Sequence, residues 1–268
     1  MNKLLAGALI AATTLSASMA AASEARRQSP VDIRPARTAP ARHAAPIRAH
    51  FAAPVTLDVG NTWAEGGPVD AEWATLKANV PAGSYVTLGP VRYNLLQFHF
   101  HTPAEHAVNG RRAAMEVHYV FLREGSAPCA RRPDALLVIG AQIVPGKAHA
   151  ELGKILDAPA LPANSAAPHL AVPGFAPGKV LGSLARSWRY DGSLTAPANF
   201  APTCEEPEGS VAQQLESKVL PENVSWVVLR DPITLSPGQI AAYRKLFPHG
   251  NTRPLMPLGA RKVSRAGW

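Results

Sequence analysis

Residues 95–122 read LLQFHFHTPAEHAVNGRRAAMEVHYVFL, and two runs within them alternate with the two-residue period of a β-strand. In the first run, Gln97, His99 and His101 share one face while Leu96, Phe98 and Phe100 share the other. In the second, Glu116, His118 and Val120 oppose Met115, Val117, Tyr119 and Phe121. Both strands are therefore apolar behind and carry imidazole in front. Between them Asn109-Gly110 is a strong hairpin signal, because both residues tolerate positive φ in a two-residue turn. Such a turn sets His101 directly across from His118, with Cβ atoms about 5 Å apart, and leaves His99 one pleat away on the same face. Thr102-Pro103 is the place where this ladder can break, since proline donates no backbone hydrogen bond.

Three imidazoles on a rigid sheet leave a fourth tetrahedral position open, which is the pattern of a catalytic rather than a structural zinc. Copper usually brings Cys or Met ligands, and none stands beside these histidines. A single histidine is more often a hydrogen-bonded core residue. Three on one face, with Gln97 and Glu116 each two residues before a histidine, argue for a site in which those two hold the distal ring nitrogens. The expected cofactor is one zinc ion.

Around this centre the chain reads as mainly β. It has 26 prolines and 20 glycines, only 17 % charged residues and little long helical periodicity, which suits short strands joined by turns in one large domain. VTLDVG (55–60), SYVTL (84–88) and LVIGAQIV (137–144) read as further strands, and WVVLRDPITL (226–235) as the last one. Helices are expected at 148–157 and at 236–247, the second capped by Ser236 with Pro237 at its first position. The Pro- and Arg-rich residues 26–54 read as an extended segment over the domain, and the proline-rich residues 158–178 as irregular.

The first residues, MNKLLAGALIAATTLSASMAAAS, have one lysine, an apolar run from Leu4 to Ala12 and then small residues, the pattern of a signal peptide cut after Ala20 or Ala22. The apolar run falls short of the roughly 20 residues that span a bilayer. Residues 1–22 are thus read as signal and 23–268 as the mature domain, periplasmic or secreted, with no membrane span. The net charge of +8 comes from scattered arginines, which argues against a nucleic-acid surface and favours encounter with small anions. Two cysteines, Cys129 and Cys204, in an exported chain suggest first a disulfide and second a metal-binding thiol pair; no CxxC spacing supports the second.

QFHFH, AEHAVNG and AMEVHYVF together resemble the zinc site of alpha carbonic anhydrases, and the resemblance extends through QSPVDI (28–33), PDALLVIG (133–140), WRYDGSLTAP (188–197), NVSWVVLRDPI (223–233) and NTRPLMPL (251–258). It implies a large central, mostly antiparallel twisted sheet with a few short peripheral helices. It implies a zinc-bound hydroxide attacking carbon dioxide to give bicarbonate and a proton. By the same resemblance Thr195 is the gatekeeper that accepts the hydroxide proton and Glu105 the carboxylate that accepts from Thr195. Val120, Val138, Leu194, Val224 and Trp226 match the apolar wall for carbon dioxide; read from the residues alone, all five could equally fill the core.

The chain departs from the family pattern in three places. The segment ahead of SPVDI is short, which leaves a side of the cone open. An insertion of about two dozen residues (about 198–222) follows Thr195-Ala196-Pro197, either a helix capped by Ser210 and Gln213 or an acidic loop. The proton-shuttle histidine is missing, and Trp63 stands at the nearest equivalent place. The usual bacterial disulfide joins the threonine loop to an N-terminal cysteine that this chain lacks, so the resemblance implies a Cys129–Cys204 bridge instead. Two other readings compete. His99, His101 and Glu105 spell the HxHxxxE of a cupin, in which Glu105 would ligate metal, although the glycine spacing and second motif of that family are missing. A carbonic anhydrase-like binding module is the non-enzyme alternative, although such relatives typically lack a ligand histidine and this chain keeps all three.

Overall fold

A computed structural model describes residues 26–41, 45–62, 73–128, 130, 132–197, 214 and 217–267. Its main sheet is built on β1 (Ala39–Pro40), β2 (Val55–Asn61), β3 (Leu76–Asn79), β4 (Val91–His101), β5 (Met115–Arg123), β6 (Leu136–Pro145), β7 (Leu170–Phe175), β8 (Ser187–Gly192), β9 (Val224–Leu229) and β10 (Ser264–Ala266). Side by side these run β7-β2-β3-β4-β5-β6-β9-β8-β10-β1, and Ile47–His50, Tyr85–Leu88 and Ile233–Leu235 pair onto them to give 13 strands. Most neighbours are antiparallel; β6 with β9, β6 with Ile233–Leu235 and β10 with β1 are parallel. The expected sheet is therefore present, with α1 (Ala150–Leu156) and α2 (Pro237–Leu246) as its helices among the described residues.

The apolar face of β4 and β5 builds the core. Phe98 stacks on Tyr119 at 4.9 Å and on Phe175 at 5.4 Å, and Phe100 meets Tyr243 of α2 at 5.7 Å. Helix α2 starts where the capping chemistry predicts: Ser236 Oγ accepts from Gln239 N and Gln239 Oε1 accepts from Ser236 N, satisfying two otherwise orphaned donors.

Four local expectations are corrected. Asn109 (φ 51°) and Gly110 (φ 78°) do make the tight turn, but it closes a small hairpin of Ala107–Val108 with Arg111–Arg112, which joins Asp32–Ile33 in a separate three-stranded sheet. Between this hairpin and the long strands, residues 102–106 face only 113–115. His118 consequently pairs with His99, and His101 with Glu116, rather than His101 with His118. The slip is two residues, so every side chain keeps its face. Second, Leu96 is not on the apolar back: a β-bulge opposite Val120/Phe121 exposes it (39 %) and turns Leu95 inward. Third, residues 158–178 are not wholly irregular. β7 pairs with β2 at the sheet edge, where Pro173 and Gly174 fall in a register break that the ladder tolerates. Fourth, residues 226–235 are not the final strand but two, broken at Arg230–Pro232, and β10 follows them.

No helix among the described residues is long and apolar enough to cross a membrane. The signal segment 1–22, Trp63, Cys129, Cys204, the Ser210/Gln213 cap and most of the 198–222 insertion lie outside the described residues.

Candidate metal centre

Two rows of residues cross the sheet and carry the site. One runs Lys77, His99, His118, Gly140 over β3, β4, β5 and β6; the next runs Asn79, Gln97, Val120, Val138, Trp226 and reaches Tyr190 on β8. Directly paired residues share a face, so His99 and His118 are neighbours by register, and His101 joins them one pleat along. Ring centroids lie 5.0 Å apart for His99 and His101, 5.2 Å for His99 and His118, and 4.7 Å for His101 and His118. One ligand atom from each of the three lies within 4.8 Å of the others.

Each ring is held from behind. His99 Nδ1 lies 2.9 Å from Gln97 Oε1, the partner the strand parity anticipates. His101 Nδ1 lies 2.8 Å from the backbone oxygen of Asn251. Glu116 Oε1 stands 3.1 Å from His118 Nε2, while its two hydrogen bonds both go to His106: Oε2 accepts from the backbone N at 2.8 Å and Oε1 pairs with Nδ1 at 2.8 Å. Gly140 makes room for that carboxylate, since a Cβ there would meet Glu116 Oε1 at 2.7 Å. Burial alone would raise the Glu116 pKa, but the charges of His106 and His118, with the His106 hydrogen bond, hold it well below the usual carboxylate range. Burial pushes His99 well down and His101 down, so both rings favour the neutral form that a metal needs.

Sequence reasoning missed several members. His106 Nε2 lies 2.6 Å from Tyr190 OH, which lies 3.1 Å from Ser29 Oγ. Buried Arg253 donates to Ser29 O at 2.6 Å and Gln28 Oε1 at 2.9 Å, and its backbone N donates to Glu105 Oε1 at 3.0 Å. These residues lie in AEHAVNG, WRYDGS, QSPVDI and NTRPLMPL, but nothing in local spacing marks them, because their partners are remote in the chain.

A cavity of about 280 Å³ opens over the histidines, lined by His99, His101, Gln97 and Lys77 and by Val120, Leu194, Thr195 and Pro197, among others. Of the five anticipated wall residues, Val120 and Leu194 line it. Val138, Val224 and Trp226 are buried behind as core. Trp226 packs edge-on against His118 at 4.9 Å and donates from Nε1 to Ser193 O at 2.9 Å, which fixes the wall from below. Thr195 stands in the cavity wall, but the expected hydrogen bond to Glu105 is not made: among the described residues Glu105 Oε2 is buried without a hydrogen bond and faces His101 Nε2 at 3.6 Å and His118 Nδ1 at 3.8 Å. Glu105 is anchored through its other oxygen, on Arg253, and Thr195 follows a strand end anchored on Ser29 through Ser193.

The model of the eukaryotic-type carbonic anhydrase family matches residues 15–206. A carbonic anhydrase of Nostoc is 32 % identical over 72 % of this chain and 61 % of its own length, and one of Neisseria gonorrhoeae is 30 % identical over 70 % and 63 %. The chain thus spans less than two thirds of these relatives; for the Klebsiella pneumoniae enzyme, 28 % identical, the share is 74 %. Among solved structures, the alpha carbonic anhydrase of Thermovibrio ammonificans in complex with the inhibitor sulfanilamide superposes with a TM-score of 0.67 at 29 % identity, covering 89 % of this chain and 86 % of that one. A match of this extent excludes the cupin alternative, and the chain belongs to the eukaryotic-type carbonic anhydrase family.

Proposed function

We propose that this protein hydrates carbon dioxide reversibly to bicarbonate and a proton, with zinc held by His99, His101 and His118. One observation carries the proposal. Gln97, Asn251 and Glu116 occupy or face one nitrogen of each ring, and among the described residues the nitrogens left over, His101 Nε2 and His118 Nδ1, are buried without a hydrogen bond, 3.6 Å and 3.8 Å from Glu105 Oε2. An orphaned buried polar atom costs about 1–3 kcal/mol, and a cation in the centre removes that cost. Three neutral imidazoles suit zinc, which when bound supplies a Lewis acid that makes water a nucleophile near neutral pH.

The chain's own part is to hold, orient and shield. Gln97 and Asn251 fix two rings, and Glu116, steadied by His106 and Tyr190, fixes the third. Val120, Leu194 and Pro197 present an apolar surface suited to an uncharged substrate. By the family resemblance Thr195 and Glu105 are assigned the orienting relay, which requires the Thr195 hydroxyl to turn onto Glu105 Oε2, an oxygen that here faces His101 and His118 without a hydrogen bond. The same proposal places the mature chain, as one catalytic domain, in the periplasm or outside the cell, on the strength of Leu4–Ala12 and the small residues before Ala20 and Ala22.

Carbon dioxide hydration followed by stopped flow, with and without a zinc chelator, tests the assignment. Chelation should abolish a rate that added zinc restores; a protein with no zinc-dependent rate would be a binding module.

Proton export gives a second test. Among the described residues lining the cavity, the titratable side chains are the ligands His99 and His101 and the residue Lys77; His50 stacks on Tyr85 at 4.7 Å and does not line it. Histidine is the side chain whose ordinary pKa, about 6.5, suits a shuttle, and Trp63 offers none. The expected result is a kcat that rises with imidazole-type buffer while kcat/KM stays flat, and a Trp63→His variant with higher kcat at low buffer. A buffer-insensitive kcat in the parent protein would refute it.

A further inference from the structure

The feature of this cavity that the proposed reaction leaves unused is Lys77. It lies on β3 directly paired with His99, so its side chain leaves the sheet on the same face as the histidines and lines their cavity. Of the other polar lining groups, Thr62, Thr75 and Gln97 are committed elsewhere. Thr62 Oγ1 accepts from Thr75 N at 2.8 Å, Thr75 Oγ1 donates to Phe100 O at 2.6 Å, and Gln97 Oε1 holds His99. No hydrogen bond or ion pair holds the Lys77 ammonium among the described residues. Its field reaches Asp58, but that carboxylate already accepts from Asn79 Nδ2 at 3.1 Å and pairs with His169 Nδ1 at 2.7 Å.

Among the described residues the cavity therefore has two unlike linings, an apolar one from Val120, Leu194 and Pro197 and a single uncommitted cation beside His99. The reaction proposed above converts a neutral molecule into an anion. We propose that Lys77 is the anion-recognition residue of this cavity, drawing small monovalent anions, with bicarbonate as the natural one, to a position against His99. The inference rests on the proposed function for the identity of the anion, and on register and cavity lining for the site. A half-buried ammonium acting on a mobile anion resembles an exposed ion pair, whose strength is at most about 1 kcal/mol. That corresponds to about a fivefold change in affinity at 1.4 kcal/mol per factor of ten.

The test titrates thiocyanate into the zinc-loaded protein by calorimetry, at two ionic strengths, for the parent, Lys77→Gln and Lys77→Arg, with zinc content measured in each. The expected result is a Kd about fivefold weaker in Lys77→Gln, a shallower dependence on ionic strength, and recovery in Lys77→Arg, which keeps the charge. A Lys77→Gln Kd within 1.5-fold of the parent, or a loss that arginine does not recover, would overturn the inference. Hydration activity of the parent protein separates the two ideas: an active parent with Lys77-independent anion binding defeats this inference alone, while an inactive parent defeats the proposed function.

Discussion

Replacing His118 or His101 by alanine should leave a protein that neither retains zinc nor hydrates carbon dioxide. Each is buried and supplies one of three nitrogens that face a common centre within 4.8 Å. Removing a group behind a ligand typically costs 10- to 100-fold in metal affinity, so losing a ligand should cost more than about 100-fold. Two imidazoles are not a stable tetrahedral cage, and the vacated volume would admit water rather than another donor. Metal analysis after dialysis against buffer without zinc, paired with stopped-flow hydration, reads the effect. A His118→Ala protein that keeps one zinc per chain would disprove the ligand assignment.

The second large effect is expected at Glu116. Its carboxylate accepts both hydrogen bonds from His106, stands 3.1 Å from His118 Nε2 and is fully buried. Glu116→Ala leaves the His106 backbone N and Nδ1 and the His118 Nε2 facing nothing. Breaking one side of a buried charged arrangement costs about 3–5 kcal/mol. For a domain of this size each kcal/mol lowers Tm by about 2–4 °C, so a fall of about 10 °C is expected, together with weaker zinc binding. Glu116→Gln keeps one acceptor oxygen for His106 and should lose less than half as much. Thermal unfolding of the zinc-free proteins isolates the fold from the metal. A Glu116→Ala protein melting within 2 °C of the parent would show that His106 and His118 are satisfied in some other way.

Much of the metal centre was legible in one stretch of chain because strand parity is local. Alternation alone put His99, His101 and His118 on one face with Gln97 and Glu116, and it survived the failure of the predicted register. The slip around Thr102-Pro103 was two residues, and only an odd slip would have turned a histidine into the core. Helix α2 was legible for a similar reason, since Ser236, Pro237 and Gln239 carry their own capping chemistry. Leu96 was misread because a bulge depends on the strand opposite, and β7 was missed because its prolines are tolerated only at a sheet edge.

Which nitrogen of His101 is left for a metal, and what steadies Glu116 behind His118, was not legible at all. Both are decided by hydrogen-bond partners brought from far away: Asn251 reaches His101 across 150 residues, Tyr190 reaches His106 across 84, and Arg253 ties Gln28 and Ser29 into the same support from more than 200 residues downstream. The expected Thr195–Glu105 contact failed on the same ground, since the position of each is set by a different remote anchor, Ser29 for one and Arg253 for the other. A period of two is a property of the backbone and can be read from spacing. The partner of a buried imidazole is a property of the closed sheet, and it exists only once β4, β5, β8 and the chain around Asn251 have packed together.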